Sequence, residues 1–350
     1  MNADASSAAP LSTDARIARI RQVIVDSGER LKTRYALAKW QDAIGAGIML
    51  FSVLGMVASG WLWYRGVLSA WISIPLSAFF ASLIHELEHD LIHLMYFRKQ
   101  PIPHNVMLAL CWLTRPLTIN PWLRRGSHLH HHKHSGTESD VEERAITNGE
   151  PWRFLRLLML FDGMLSLAIR AATQPTMARG VRLLRRGFHV YFPIGILAWA
   201  TWYVFLGFHV SDGVAQLAGG AVRWSPAVLK AMNVVDVITV VLLAPNLLRS
   251  FSINFVSSNM HFYGDIEDGN IIQQTQVLNP WWMLPFQAFC FNFGGTHAIH
   301  HFVVGQPFYL RQMVAASAYP VMRAMGVRFN DIGTFKRANR WAGAAAPAHG

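Results

Sequence analysis

The sequence predicts an all-α integral membrane protein whose four transmembrane helices pair as two hairpins. Three observations predict it. Charged residues make up only 15% of the 350 residues, apolar ones 52%, and the mean hydropathy is +0.25; a soluble domain carries about a quarter charged residues. Four apolar runs approach the length of about 20 residues that a bilayer crossing needs. The loops joining paired runs are short and poor in Lys and Arg, whereas the other polar segments are rich in both.

Each element follows in order. Residues 1–15 are small and polar, the composition of a disordered segment. Residues 16–40 carry Arg16, Arg19, Arg21, Arg30, Lys32, Arg34 and Lys39 among apolar residues, which predicts a basic interfacial helix. No signal-peptide core occurs there, so no N-terminal cleavage is expected. Residues 43–64 form the first span, Arg65 and Gly66 the turn, and residues 67–84 the return span. Residues 104–121 are apolar but short and broken by Arg115 and Pro116, which predicts a re-entrant or interfacial segment. Residues 122–187 are polar and rich in His and Arg. Residues 188–210 and 234–256 are the third and fourth spans, and the aromatic stretch 280–293 is interfacial. A membrane domain over 41–335 thus lies between a basic N-terminal segment, 1–40, and a disordered tail, 336–350.

Positive charge decides orientation. Between the first two spans there is one Arg, and between the last two only Arg223 and Lys230. Both termini and the 122–187 segment are therefore expected in the cytoplasm, and a bacterial inner membrane is the expected location. The formal charge of +11 sits beside apolar segments, so anionic lipid explains it and nucleic acid does not. The two cysteines, Cys111 and Cys290, form no C-x-x-C motif and read as packing residues.

Histidines carry the chemistry. Sixteen occur, mostly in clusters: His85, His89 and His93 in IHELEHDLIH; His128, His130, His131, His132 and His134 in RRGSHLHHHKHSG; and His297, His300 and His301 in GGTHAIHHF. His261 stands alone just past the fourth span. Residues three and four apart share a helix face. His89 and His93 can therefore approach one ion together. Each H-x-x-H-H, His128/His131/His132 and His297/His300/His301, can present three imidazoles to one site. His130 and His134 fall off that face. Nine imidazoles exceed one tetrahedral zinc and suit two metals of higher coordination. Residues 85–89 also read H-E-x-x-H, the pattern of a zinc peptidase, which would use His85, Glu86 and His89 with one metal. That alternative leaves seven of the eight motif histidines unexplained, and His261 besides. A metal transporter would need polar ligands through the bilayer, where the spans are poor in them.

With HDLIHLMYFRK, RRGSHLHHHKH and NFGGTHAIHHFVVGQPFYL in this order between paired spans, the chain resembles the membrane fatty acid desaturase and hydroxylase superfamily over about residues 45–315. The resemblance implies four spans under a cytoplasmic helical cap that holds a histidine-rich di-iron site. It implies dioxygen as co-substrate and a fatty acid or acyl thioester as substrate. The implied ligands are His89, His93, His128, His131, His132, His261, His297, His300 and His301. His85 is surplus to that register and joins the candidates as an alternate ligand or a hydrogen-bond partner of one. Some relatives carry an asparagine one turn before the histidine that follows the last span; here Ser257 holds that position, and Asn259 lies two before His261.

The leading function is a desaturase that inserts a C=C bond. Fatty acid decarboxylation to a 1-alkene and alkane or acyl hydroxylation are alternatives on the same site. The chain has no cysteine set for an iron–sulfur or rubredoxin centre and no G-x-G-x-x-G fingerprint. Electrons are therefore expected from a separate ferredoxin, rubredoxin or cytochrome-type protein with its reductase. Arg124, Arg125, Arg182, Arg185 and Arg186 are candidates to meet an acidic donor or membrane lipid. Glu86, Glu88, Asp90, Asp265, Glu267 and Asp268 are candidates to orient ligand N–H groups.

Overall fold

A computed structural model describes residues 11–147 and 150–341. Helix α1 (Thr13–Arg34) opens on Ser12, whose Oγ accepts from the Ala15 N–H. Its apolar residues Ile17, Ile20 and Ile24 recur on one face and are buried. They pack against the last long helix, α16 (Phe308–Ala324). Gln306 Nε2 donates to the Ile24 carbonyl at 3.1 Å, and Arg21 Nε to that of Phe302 at 3.1 Å. The segment expected at the membrane interface is thus partly a packing element, because its apolar face meets protein. The expected polar leader is also shorter: Thr13 already belongs to α1, while residues 1–10 lie outside the described ones.

Ala36, at φ 51°, reverses the chain into α2 (Leu37–Tyr64), and residues 65–69 lead to α3 (Ala70–Ile92). The two pack along each other: Ser73 Oγ donates to the Ser59 carbonyl at 2.9 Å, and Gly55 lies against the Phe80 ring. The opposite face of α2, with Leu50, Phe51, Leu54 and Val57, is exposed. Helix α3 starts at Ala70, not at residue 67, and runs eight residues beyond the expected end at Ile84. Nothing between Ile84 and Ile92 breaks a helix, so His85 and His89 continue it and His93 ends it.

The short segment after it is α4 (Pro101–Thr114), about 21 Å long, below the ~30 Å of a bilayer core. Its Met107, Leu108 and Cys111 join α2 and α3 in one cluster. The polar region folds as α5 (Pro121–His134), α6 (Val141–Thr147), α7 (Phe154–Phe161), α8 (Gly163–Ala172) and α9 (Met177–Tyr191). The next apolar helix is α10 (Ile194–Leu217). It is followed by α11 (Pro226–Ile238), a π-helical segment (Thr239–Leu243) and α12 (Ala244–Met260). These three form one continuous helical stretch of 35 residues. Four helical stretches among the described residues are long and apolar enough to cross a membrane: Leu37–Tyr64, Ala70–Ile92, Ile194–Leu217 and Pro226–Met260.

After α12 come short helices α13 (Ile271–Gln274) and α14 (Leu284–Ala288), then α15 (Phe293–Phe302) and α16. One small departure from an all-helical fold occurs: strands β1 (Gln276–Val277) and β2 (Arg328–Phe329) pair in parallel. They fasten the chain after α16 to the turn before α14. Residues 336–341, placed with the tail by composition, also pack here. Asn339 Nδ2 donates to the His261 carbonyl at 2.9 Å.

A buried ion cluster joins α3 to α16. Arg311, 1% exposed, reaches Glu86 Oε2 at 3.0 Å and Asp90 Oδ1 at 3.1 Å. Asp90 also accepts from the Tyr96 hydroxyl at 3.0 Å and the Phe308 N–H at 2.8 Å. Removing one partner of such a pair leaves a buried charge uncompensated. Arg311→Met should therefore destabilise the protein by about 3–5 kcal/mol. Thermal unfolding in detergent would read this as a lowered midpoint, with Arg311→Lys intermediate; an unchanged midpoint would refute the bracing role.

Candidate metal centre

The end of α3, α5, the residue after α12, and α15 converge, and each brings histidines. They form two groups, and within each group the nearest ligand nitrogens all lie within 4.8 Å of one another. The first holds His89, His93, His128, His132 and His300. The second holds His131, His261, His297 and His301. All nine of the expected ligands are gathered.

The division corrects the reading that each H-x-x-H-H could serve one site. Successive helix residues point about 100° apart. The pairs four apart, His128/His132 and His297/His301, stay together. The remaining members, His131 and His300, turn to the other group. Each box thus bridges both groups, and their adjacency is built into α5 and α15.

Distances in the first group are specific. The Nε2 atoms of His93 and His128 are 3.0 Å apart, His128 and His132 3.1 Å, His132 and His300 2.9 Å, and His300 and His93 3.1 Å. Two imidazole nitrogens bound at about 2.1 Å and at right angles around one ion are about 3.0 Å apart. The four therefore close a ring of right-angle neighbours. His89 packs over the rings of His128 and His300, with centroids at 4.7 and 4.3 Å, and neither of its nitrogens has a hydrogen-bond partner. In the second group the His301 Nε2 is 3.2 Å from that of His297 and 3.4 Å from that of His261. Buried nitrogens without protein partners and converging Nε2 atoms fit two adjacent cations of the imidazole-preferring kind.

Protonation agrees. Burial, followed by the neighbouring His128, lowers His93 to about 3. Burial likewise holds His132, His297, His300 and His301 well below the usual histidine range. These rings are neutral bases at pH 7, the form that ligates metal.

Three of these histidines have their other nitrogen fixed. His128 Nδ1 donates to Glu142 Oε2 at 2.9 Å, His131 Nδ1 to Asp140 Oδ2 at 2.8 Å, and His261 Nδ1 to the Ser257 carbonyl at 3.0 Å. Each bond leaves Nε2 as the acceptor. Burial alone would raise both carboxyls, but the histidine contacts outweigh it. Glu142 is held well below the carboxylate range by His128 and Arg124, and Asp140 is lowered by its bond to His131. The sequence reading missed both acids. Their signal was the position of Asp140 and Glu142, in SDVEER, within ten residues of His132.

Five of the six acids expected in this role, Asp268 aside, have other partners. Glu86 and Asp90 bind Arg311; Glu88 pairs with Arg115 and with Arg124, the latter at 2.8 Å. Asp90 also lies 3.8 Å from His89 Nδ1, beyond hydrogen-bond reach. Asp265 accepts from the Trp341 N–H, and Glu267 accepts from Asn270 Nδ2. At the asparagine position, Ser257 supplies its carbonyl and a hydroxyl 3.3 Å from His261 Nδ1. Asn259 turns away to Trp152 and the Phe255 carbonyl. His130 donates to the Ser139 carbonyl and stacks with His134, as its face predicts.

His85 joins neither group. Its Nδ1 faces Arg115 Nη1 at 3.1 Å and Arg249 Nη1 at 3.4 Å. Two guanidinium neighbours oppose a third cation there. Because guanidinium cannot accept a hydrogen bond, Nδ1 accepts and the ring proton sits on Nε2.

Replacing Glu142 by Gln, or Asp140 by Asn, should weaken metal binding by about 10–100-fold. Chelator competition on purified protein would measure it. The His130→Ala variant should match the parent; equal loss in all three would show that these carboxylates do not set ligand basicity.

Comparison with known proteins agrees with this geometry. A search of curated proteins found no match. The family model described as fatty acid desaturase matches residues 65–333, a segment that contains every histidine of both groups. The chain belongs to the fatty acid desaturase family.

Proposed function

We propose that the protein is a membrane-bound, di-iron, dioxygen-dependent oxidase of fatty acyl chains that inserts a C=C bond. Family membership makes it an oxidoreductase with a fatty acyl substrate. The observation that carries the finer reading is the five-plus-four division of the histidines into adjacent buried groups. His89, His93, His128, His132 and His300 would hold one iron, and His131, His261, His297 and His301 the other. Bound iron would supply dioxygen activation, which C–H cleavage requires and side chains do not offer.

The chain's own residues hold the ligands rigid and exclude water. Glu142, Asp140 and Ser257 fix tautomers, Arg311 locks α3 to α16, and burial keeps the rings neutral. In desaturation two hydrogens leave adjacent carbons. With dioxygen, two electrons and two protons from the donor, they end as two waters. Hydroxylation and decarboxylation use the same centre, and small differences in acyl position decide among them.

Orientation and partners belong to the same reading. The spans form two hairpins, with the histidine cap and both termini cytoplasmic in a bacterial inner membrane. A ferredoxin, rubredoxin or cytochrome-type donor with its reductase docks on that face. Arg182, Arg185 and Arg186 on α9, with Arg179 and His189, line an open groove there of about 770 Å³. The zinc-peptidase alternative has lost its support, because His85 faces two arginines and Glu86 is bound to Arg311.

Metal analysis of purified protein should find about two irons per chain. Membranes given C12–C18 acids and thioesters, a reductase system and oxygen should form an oxidised product that anaerobiosis prevents. His301→Ala should abolish it. His85→Ala should retain iron, whereas His93→Ala should lose it. One zinc per chain, or activity surviving His301→Ala, would overturn the assignment.

A further inference from the structure

One turn of α3 from the first histidine group lies a buried cationic patch. Arg115, Arg249 and His85 are 0%, 2% and 5% exposed. Both guanidiniums aim an N–H at the same His85 Nδ1. An imidazole nitrogen has one in-plane lone pair, so it serves one of them well and leaves the other donor spare. Arg115 has a counter-charge in Glu88, which it shares with Arg124. Arg249 has no ion-pair partner among the described residues. Its remaining contact is Ser250 Oγ at 2.6 Å, and its Nε has no acceptor. A buried cation without a counter-ion is costly, and a second cation beside it makes it more so. The patch is short of one negative charge.

We propose that Arg249, with Arg115 and His85, binds the carboxylate of an unesterified fatty acid. The proposal rests on the reading that the histidine groups oxidise an acyl chain, and for a free acid it replaces double-bond insertion by decarboxylation, the alternative on the same site. One carboxylate supplies the single missing charge and accepts parallel N–H bonds from guanidinium. The His85 Nε2–H adds a further donor. All three groups are buried, so a carboxylate held there would meet them out of water, where a charge-assisted bond is strong. Phe293, whose ring centroid is 6.4 Å from that of His85, offers apolar contact for the first methylenes.

Anchoring there fixes which carbons can react. His85 and His89 are one turn apart, about 6 Å along the axis. The carbons next to the carboxylate, not those in mid-chain, lie against the first histidine group. Hydrogen loss from C3 then couples to cleavage of the C1–C2 bond. Carbon dioxide leaves and a C2–C3 double bond forms. The acid gives up two electrons and two hydrogens, counting the carboxyl proton. Dioxygen takes these with two electrons and two protons from the donor protein and becomes two waters. The product is a terminal alkene one carbon shorter.

The test uses the purified, iron-loaded full chain in lipid nanodiscs. Labelled C12–C18 fatty acid is displaced by unlabelled acid, methyl ester or alcohol of equal length. Acid should compete about 10–100-fold better than ester, the worth of a charge-assisted hydrogen-bond pair. Arg249→Met should erase that preference while ester binding and iron content persist, and Arg249→Lys should keep part of it. Product analysis of the parent should give the one-carbon-shorter alkene from free acid. Ester competing as well as acid in the parent would overturn the proposal, even if Arg249→Met fails to fold. So would a mid-chain alkene as the sole product of a free acid. Iron present with thioester oxidised, but no acid preference, sinks this proposal alone; absence of iron sinks the oxidase reading itself.

Discussion

The site depends on keeping protons off imidazoles whose nitrogens lie a hydrogen-bond length apart. In water such a cluster would repel itself apart on the first protonations. Burial removes that possibility, because a charged ring loses its hydration inside the protein. Once neutral, the rings act as bases, and the acids beside them decide which nitrogen faces inward. Asp140 and Glu142 do this without entering either group. The same burial makes every cation in the neighbourhood expensive. This explains why Arg311, Arg115 and Arg124 all hold carboxylates of α3. Helix α3, which delivers His89 and His93, is thus tied down by charge through Glu86, Glu88 and Asp90.

Much of this was legible in the residues, and the reasons differ by level. Hydropathy located all four spans, since bilayer thickness sets a length that composition must meet. It missed where α3 ends, because hydropathy falls at Glu86 while helix geometry does not. The spacing of the histidine motifs announced which side chains gather. Their division into two groups was hidden, because the i+3 and i+4 partners of one histidine are themselves neighbours in sequence but diverge in direction. Glu142 and Asp140 were overlooked for a related reason. Asp140, just before α6, and Glu142, on α6, fold back on α5, and only the tertiary path brings them to His128 and His131. The basic N-terminal segment was legible only on one face. Its Arg and Lys residues suggested lipid headgroups, yet its three buried isoleucines dock on α16.

His85 illustrates how a motif and its setting can part company. H-E-x-x-H is satisfied in letters, but zinc chemistry needs a free lone pair and a free carboxylate. Here the lone pair points at guanidinium and the carboxylate is held by Arg311. His85 gains meaning from its neighbours instead, as part of the proposed anion-recognising patch below the first histidine group. Opposite charge preferences thus lie one helical turn apart.

The π segment at Thr239–Leu243 carries a consequence for the way this helix is aligned with the rest. A π turn holds one residue more than an α turn, so everything after it is phase-shifted by about 100°. Arg249, Ser257 and His261 all follow it. Straightening the segment to α with every residue kept would leave a helix of almost the same length and hydropathy, still able to cross the bilayer. Yet it would rotate the guanidinium and the last histidine off the shared axis together. One inserted residue thus acts as a phase key, invisible to composition, that sets α12 in register with three other elements.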